Sequence, residues 1–259
     1  MLELPVKTPA TNPQQRLSLG QYADRFRNEM VAIGPRFCYL CAGASISEED
    51  RREFVEEPVS ALPPVIAARL PEVRILLVPY LELGKAHRTR TAPVTLVSEQ
   101  KPKEDAALSF GSEVSGAGAV LAFAVKETEV ADYHYRFFRA IAEMVAGKGG
   151  KNVPEAYVGL VRQELHKAAH GEVDEGSWRL KVELEEKDRT GPRMTKRFKA
   201  YVEQSFIDTL TLYMHGICCD IDVETGPRQL PSNLLRKRLT LLKDMYPQPQ
   251  GYAVFPEDL

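Results

Sequence analysis

Three apolar runs constrain this chain most: Phe37 to Ala42, Val73 to Leu83 and Ala119 to Val125. Each is short and lies between turn-forming or charged residues, so each reads as a buried strand. Pro93 to Val97 is a shorter candidate of the same kind. Helical signals stand between the runs. Leu19, Tyr22, Phe26 and Met30 recur at helical spacing over Leu17 to Val31, and Ser47 is placed to cap a helix opening Glu48-Glu49-Asp50. Strands alternating with helices predict a mixed α/β fold with parallel strand pairs. Glu99 to Asp105 reads as a charged loop, and the glycine- and serine-rich GSEVSGAG at 111–118 as a flexible one.

The pattern changes at Val130. His134, Phe137, Ile141 and Val145 continue one helical face, which places His134 on an apolar stripe as a hydrogen-bonded core residue. Glycines 147, 149 and 150 end that helix. Asn152 is expected to cap the next one, with Pro154 in its first turn, Tyr157, Leu160, Val161 and Leu165 on its buried face, and Gly171 as its stop. Residues 178–187 alternate like a strand but have helix-forming residue types, which leaves that segment open. A long helix buries Phe198, Tyr201, Val202, Phe206, Leu210 and Tyr213, and a last one, capped by Ser232, buries Leu235, Leu239 and Leu242. The expected organisation is an extended arm over 1–15, an α/β layer over 16–147, a helical part over 148–246 packed on it, and an extended tail over 247–259 whose Tyr252, Val254 and Phe255 dock on the body.

Composition narrows the function classes. A formal net charge of -2 over 259 residues gives no global basic field, so nucleic-acid binding has no support at that level. No run reaches the roughly 18 apolar residues needed to cross a bilayer. The opening MLELPVKTPATNPQQ lacks the basic-then-apolar order of a signal peptide. The four cysteines do not form a secreted disulfide framework. The expectation is therefore a cytoplasmic protein with reduced thiols. Cys38 and Cys41 make a CxxC pair, but inside the apolar run RFCYLCA, where strand alternation points the two thiols to opposite faces.

One stretch gathers chemistry-bearing residues. ELHKAAHGEVDEGSW carries His166 and His170 four apart, then Glu172, Asp174 and Glu175. On a helix the two imidazoles would share a face and could chelate zinc or another divalent metal, with His215 as a further ligand and Glu172 or Glu175 as base. Neither the HExxH nor the HxxEH protease pattern is met, because Lys167 and Ala169 hold the decisive positions. Glu164 falls toward the apolar face of its helix. The later helix has a polar line, Gln204, Asp208, Thr211 and His215, opposite its buried face. The basic stretches 187–199 and 236–238 read as solvated faces.

A second candidate is the turn after the first strand. CAGAS, ending at Ser45, resembles the GAGAS turn by which sirtuins and related nucleotide-binding domains hold NAD. The resemblance covers about five residues and implies a phosphate held by Gly43, Ser45 and Ser47. The sirtuin Gln-Asn-x-Asp element and four-cysteine zinc module are absent. Three readings follow: a metal-dependent hydrolase, a nucleotide-binding domain, and a non-catalytic subunit that joins a protein partner or a second copy of itself.

Overall fold

A computed structural model describes residues 16–43, 46–84, 94–116, 118–126, 130–187, 195–219 and 230–255. In chain order its elements are β1 (Leu17–Ser18), α1 (Leu19–Arg25), β2 (Val31–Ala32), β3 (Phe37–Cys41), α2 (Glu48–Arg51), α3 (Glu57–Ser60), α4 (Pro64–Arg69), β4 (Val73–Val78), β5 (Tyr80–Leu83), β6 (Thr95–Ser98), β7 (Ala107–Leu108), β8 (Phe110–Ser115), β9 (Gly118–Ala124), α5 (Val130–Ala146), α6 (Glu155–His166), α7 (Glu175–Lys187), α8 (Lys196–Cys219) and α9 (Ser232–Met245). A π-helical turn over Arg52–Glu56 joins α2 to α3. The fold is mixed α/β, with strands in the N-terminal half and helices dominating the C-terminal half. None of the described helices is long and apolar enough to cross a membrane. The chain divides into two compact units, one of residues 1–59 and 71–136, the other of 60–70 and 137–259.

The first unit has two sheets. The larger runs β2-β3-β4-β9-β8, with β3, β4 and β9 parallel and β2 and β8 antiparallel at its edges. β4 and β9 are buried along their whole length, which is why their sequences are nearly unbroken apolar runs. Even-numbered residues such as Leu40, Leu76, Val78, Val120 and Ala122 share a core with Leu19 and Tyr22 of α1, with Phe26 just after it, and with Leu81 and Val97 of the smaller sheet β1-β6-β5-β7. On the unit's opposite sheet face Tyr133 packs on Phe123 and Phe54. His134 is buried there, its Nε2 2.8 Å from the Glu53 carbonyl, as the apolar stripe requires. Gly118 enters β9 at φ +137, and a side chain there would meet the Glu72 carbonyl at 2.6 Å.

Several expectations change. Val73 to Leu83 is two strands, because Pro79 separates β4 in the large sheet from β5 in the small one. The predicted first helix is only α1, extended by a 3-10 turn over Arg27–Glu29. GSEVSGAG is not a flexible loop. It forms most of edge strand β8 and reaches the start of β9, and its exposed, small residues hide the strand pattern. In the second unit α6 starts after Pro154 without a side-chain cap from Asn152, and α9 follows Pro231, with Ser232 inside the helix. The open segment 178–187 lies in α7. Val254 and Phe255 of the tail are buried, with Arg236 4.6 Å above the Phe255 ring. The arm 1–15 lies outside the described residues.

Candidate functional site

In the second unit the HGEVDEGSW segment is built around a buried charge cluster. Arg238 of α9 is completely buried, in phase with the core leucines Leu235, Leu239 and Leu242. The prediction of a solvated face at 236–238 is therefore corrected at this residue. All three guanidinium nitrogens find acceptors. Nε and Nη2 donate to Glu164 Oε2 at 3.0 and 2.6 Å, Nη1 to Glu172 Oε2 at 2.8 Å and Ser205 Oγ at 2.9 Å, and Nη2 also to Glu172 Oε1 at 2.9 Å. The Tyr201 hydroxyl donates to Glu172 as well. Burial opposes ionisation of Glu172, but the charge and hydrogen bonds of Arg238, with Tyr201, outweigh it and hold the carboxyl below its ordinary range. Lys181 of α7 is buried and donates to the carbonyls of Ala169 and Gly171 at 2.5 and 2.8 Å, which fixes the loop before Glu172. Burial lowers its pKa. Two cations face two carboxylates, so this cluster is internally neutral.

The predicted metal and catalytic residues lie in and around this cluster. α6 ends at His166, and Ala168 turns the chain at φ +50, so His166 and His170 do not share a helical face. Both are exposed. His170 instead stands edge-on to Trp178, ring centres 5.2 Å apart. Glu172 is a partner of Arg238, while Glu175 is exposed and pairs with Arg179 at 2.8 Å. His215 is half-buried on α8, 6.0 Å from the Phe138 ring. The polar line of α8 does not face water: Asp208 and Thr211 are buried. Asp208 accepts from Arg139 Nη1 at 3.0 Å, Gln204 Nε2 at 2.7 Å and Ser177 N, at the start of α7, at 3.1 Å. Glu164 does fall on the buried face.

After β3, Gly43 and the start of α2 lie among the described residues. Gly43 has φ +70, as a tight turn demands. Ser47 Oγ accepts from Asp50 N at 3.0 Å and Asp50 Oδ2 accepts from Ser47 N at 3.1 Å, a reciprocal cap. The Ser47 N–H, one donor a phosphate would need, is thus satisfied by a carboxylate. Ser45 lies outside the described residues. Cys38 and Cys41 lie in β3 as expected, and burial raises both thiols, Cys41 to about 11, away from the thiolate form.

The first unit holds a site that the strand patterns did not reveal. An open cleft of about 450 Å³ is lined mostly by polar groups, among them Ser18, Asp24, Arg74, Thr95, Ser112 and Glu113. It lies toward the amino ends of β4 and β9, away from the turn after β3. Arg74 is only 5% exposed. A guanidinium has five N–H donors. Among the described residues this one has a single hydrogen-bond acceptor, Asp24 Oδ1 at 2.6 Å, and its buried Nε has none. Glu113 is exposed and accepts from Gly20 N at 3.1 Å. The sequence signal was present: a single arginine inside the apolar run Val73–Val78. The chain matches no protein-family profile, and no curated protein or solved structure is similar to it.

Proposed function

We propose that this protein binds a small polar ligand in the cleft of its first unit. One observation carries the reading: Arg74 is buried in the cleft wall and, among the described residues, its Nε has no acceptor and Asp24 is its one hydrogen-bond partner. A buried polar group without partners costs about 1–3 kcal/mol, more when charged, and Arg238 illustrates the alternative, a buried guanidinium with every nitrogen engaged. An acceptor-bearing ligand in the cleft would satisfy what the fold leaves open. The volume lies in the range of ligand pockets, roughly 300–1,000 Å³. The hydrolase and nucleotide readings draw less support, because His166 and His170 do not share a helical face, Glu172 and Glu175 are paired with arginines, and Ser47 is engaged in a cap.

The test is an amide-shift survey of the full-length 15N-labelled protein against a panel of neutral polyols, carboxylates, amines and zwitterions. At least one class is expected to move the amides of Gly20 and Ser112 saturably, and to lose that effect in Arg74→Met. A panel that leaves both amides in place would remove the binding role.

A further inference from the structure

We infer that the ligand of this cleft is a basic amino acid, with its carboxylate on Arg74, its α-ammonium on Asp24 and its side-chain cation on Glu113. This rests on the binding role proposed for the same cleft and names its ligand class.

The charges come first. Among the described residues the cleft brings one guanidinium together with two carboxylates, a formal balance of one negative charge. A phosphate or dicarboxylate would meet Asp24 and Glu113 as like charges, and a bare metal ion would meet Arg74. A ligand with one carboxylate and two ammonium groups complements all three. The guanidinium offers the planar donor pair that suits a carboxylate. Asp24 already sits 2.6 Å from Arg74, so a cation beside the bound carboxylate, as an α-ammonium is, falls next to it. Asp24 is 70% exposed and keeps acceptor capacity toward the cleft.

The register supplies the length. Arg74 pairs with Val120, and Val120 pairs with Glu113. Residues directly opposite in neighbouring strands point to the same face. Arg74, Val120 and Glu113 therefore form one row across the sheet, with the Cα atoms of its two charged members two strand spacings apart, about 10 Å. Val120, the apolar member, lies between them and also lines the cleft. A four-methylene side chain with a charged group at each end spans such an interval, its methylenes over the valine and its end groups on the charges. Glu113 is exposed and, among the described residues, receives a single hydrogen bond, so an ammonium can reach it without breaking a buried pair.

Isothermal titration of the full-length protein with four probes tests this: L-lysine, L-norleucine (no side-chain cation), cadaverine (no carboxylate) and 6-aminohexanoate (no α-ammonium). L-lysine is expected to bind at least about ten-fold tighter than each of the others. Arg74→Met should erase its advantage over cadaverine, and Glu113→Gln its advantage over norleucine. Equal binding of L-lysine and norleucine, or of L-lysine and cadaverine, overturns the inference. So does a Glu113→Gln protein that keeps the preference, and that arm stands even if Arg74→Met does not fold, because Glu113 is exposed. If the lysine series gives neither heat nor amide shifts while a polyol or carboxylate moves Gly20 and Ser112, the ligand class falls and the binding role stands. If nothing moves them, both fall.

Discussion

Ala168 is, among the described residues, the one non-glycine with positive φ, at +50. It stands just past the end of α6, where a left-handed residue commonly terminates a helix and glycine is preferred. Its methyl group costs of order 1 kcal/mol in that conformation. Ala168→Gly should therefore stabilise the protein by about 0.5–1 kcal/mol, read as a higher urea midpoint at unchanged slope. The residue scale also explains what the sequence hid. A charge inside an apolar stripe is the visible mark of a buried ion, and both Arg74 and Arg238 carry it. Arg238 repeats the phase of Leu235 and Leu242, yet its neighbours Arg236 and Lys237 make the segment look like a solvated basic patch. Nothing in the local pattern around Arg74 names Asp24, fifty positions earlier, as its partner.

At the scale of elements, the buried cluster ties α6, through Glu164, to α8, through Tyr201 and Ser205, to α9, through Arg238, and to the loop bearing Glu172. Removing one partner of such a set leaves the others charged and unpaired, which costs far more than the set contributes. Arg238→Met should lower stability by about 3–5 kcal/mol. A triple replacement, Arg238→Met with Glu164→Leu and Glu172→Leu, should recover much of that loss. Denaturant midpoints of the two variants check the pair of expectations, and a triple variant weaker than the single would refute the argument. The legible elements had a plain local signal: β3 and β9 as short apolar runs between turn residues, α9 from its helical periodicity. α8 was misread on its second face, because it is buried nearly all round and Asp208 and Thr211 have partners inside. β8 was missed because an exposed edge strand of Gly, Ser and Glu has no apolar alternation to detect.

For the whole molecule, the carboxylates set the acid limb of stability, and they do not all act in one direction. Glu172 has a folded pKa below its ordinary 4.5, so the unfolded chain binds more protons in that interval. Its contribution is complete above the unfolded value and is lost as pH falls through the folded one. Burial raises Asp208 and Glu143, and these act oppositely, losing stability as pH rises through their folded values. The net acid loss contains a part specific to Glu172. Glu172→Gln should be less stable than the parent at neutral pH but lose less between about pH 5 and pH 3, measured as urea midpoints across that range. An identical acid slope in both proteins would show that the ion pair is not coupled to protonation. The class of fold was readable from alternating patterns spread along the chain. The cleft was not, because it needs Ser18, Arg74, Thr95 and Glu113 from four separate stretches, and their meeting is set by strand order and register.

The reach of Arg238 also has a consequence in time. Its two carboxylates precede it by 74 and 66 positions. At ordinary rates of synthesis those intervals are roughly 3–15 s, far longer than a helix needs to form. During them Glu164 and Glu172 have no arginine to face, and their segment has reason to stay hydrated rather than bury two negative charges. The unit therefore closes when α9 arrives, and the charge pairing that looks like a static brace also sets the order in which the nascent chain commits to its fold.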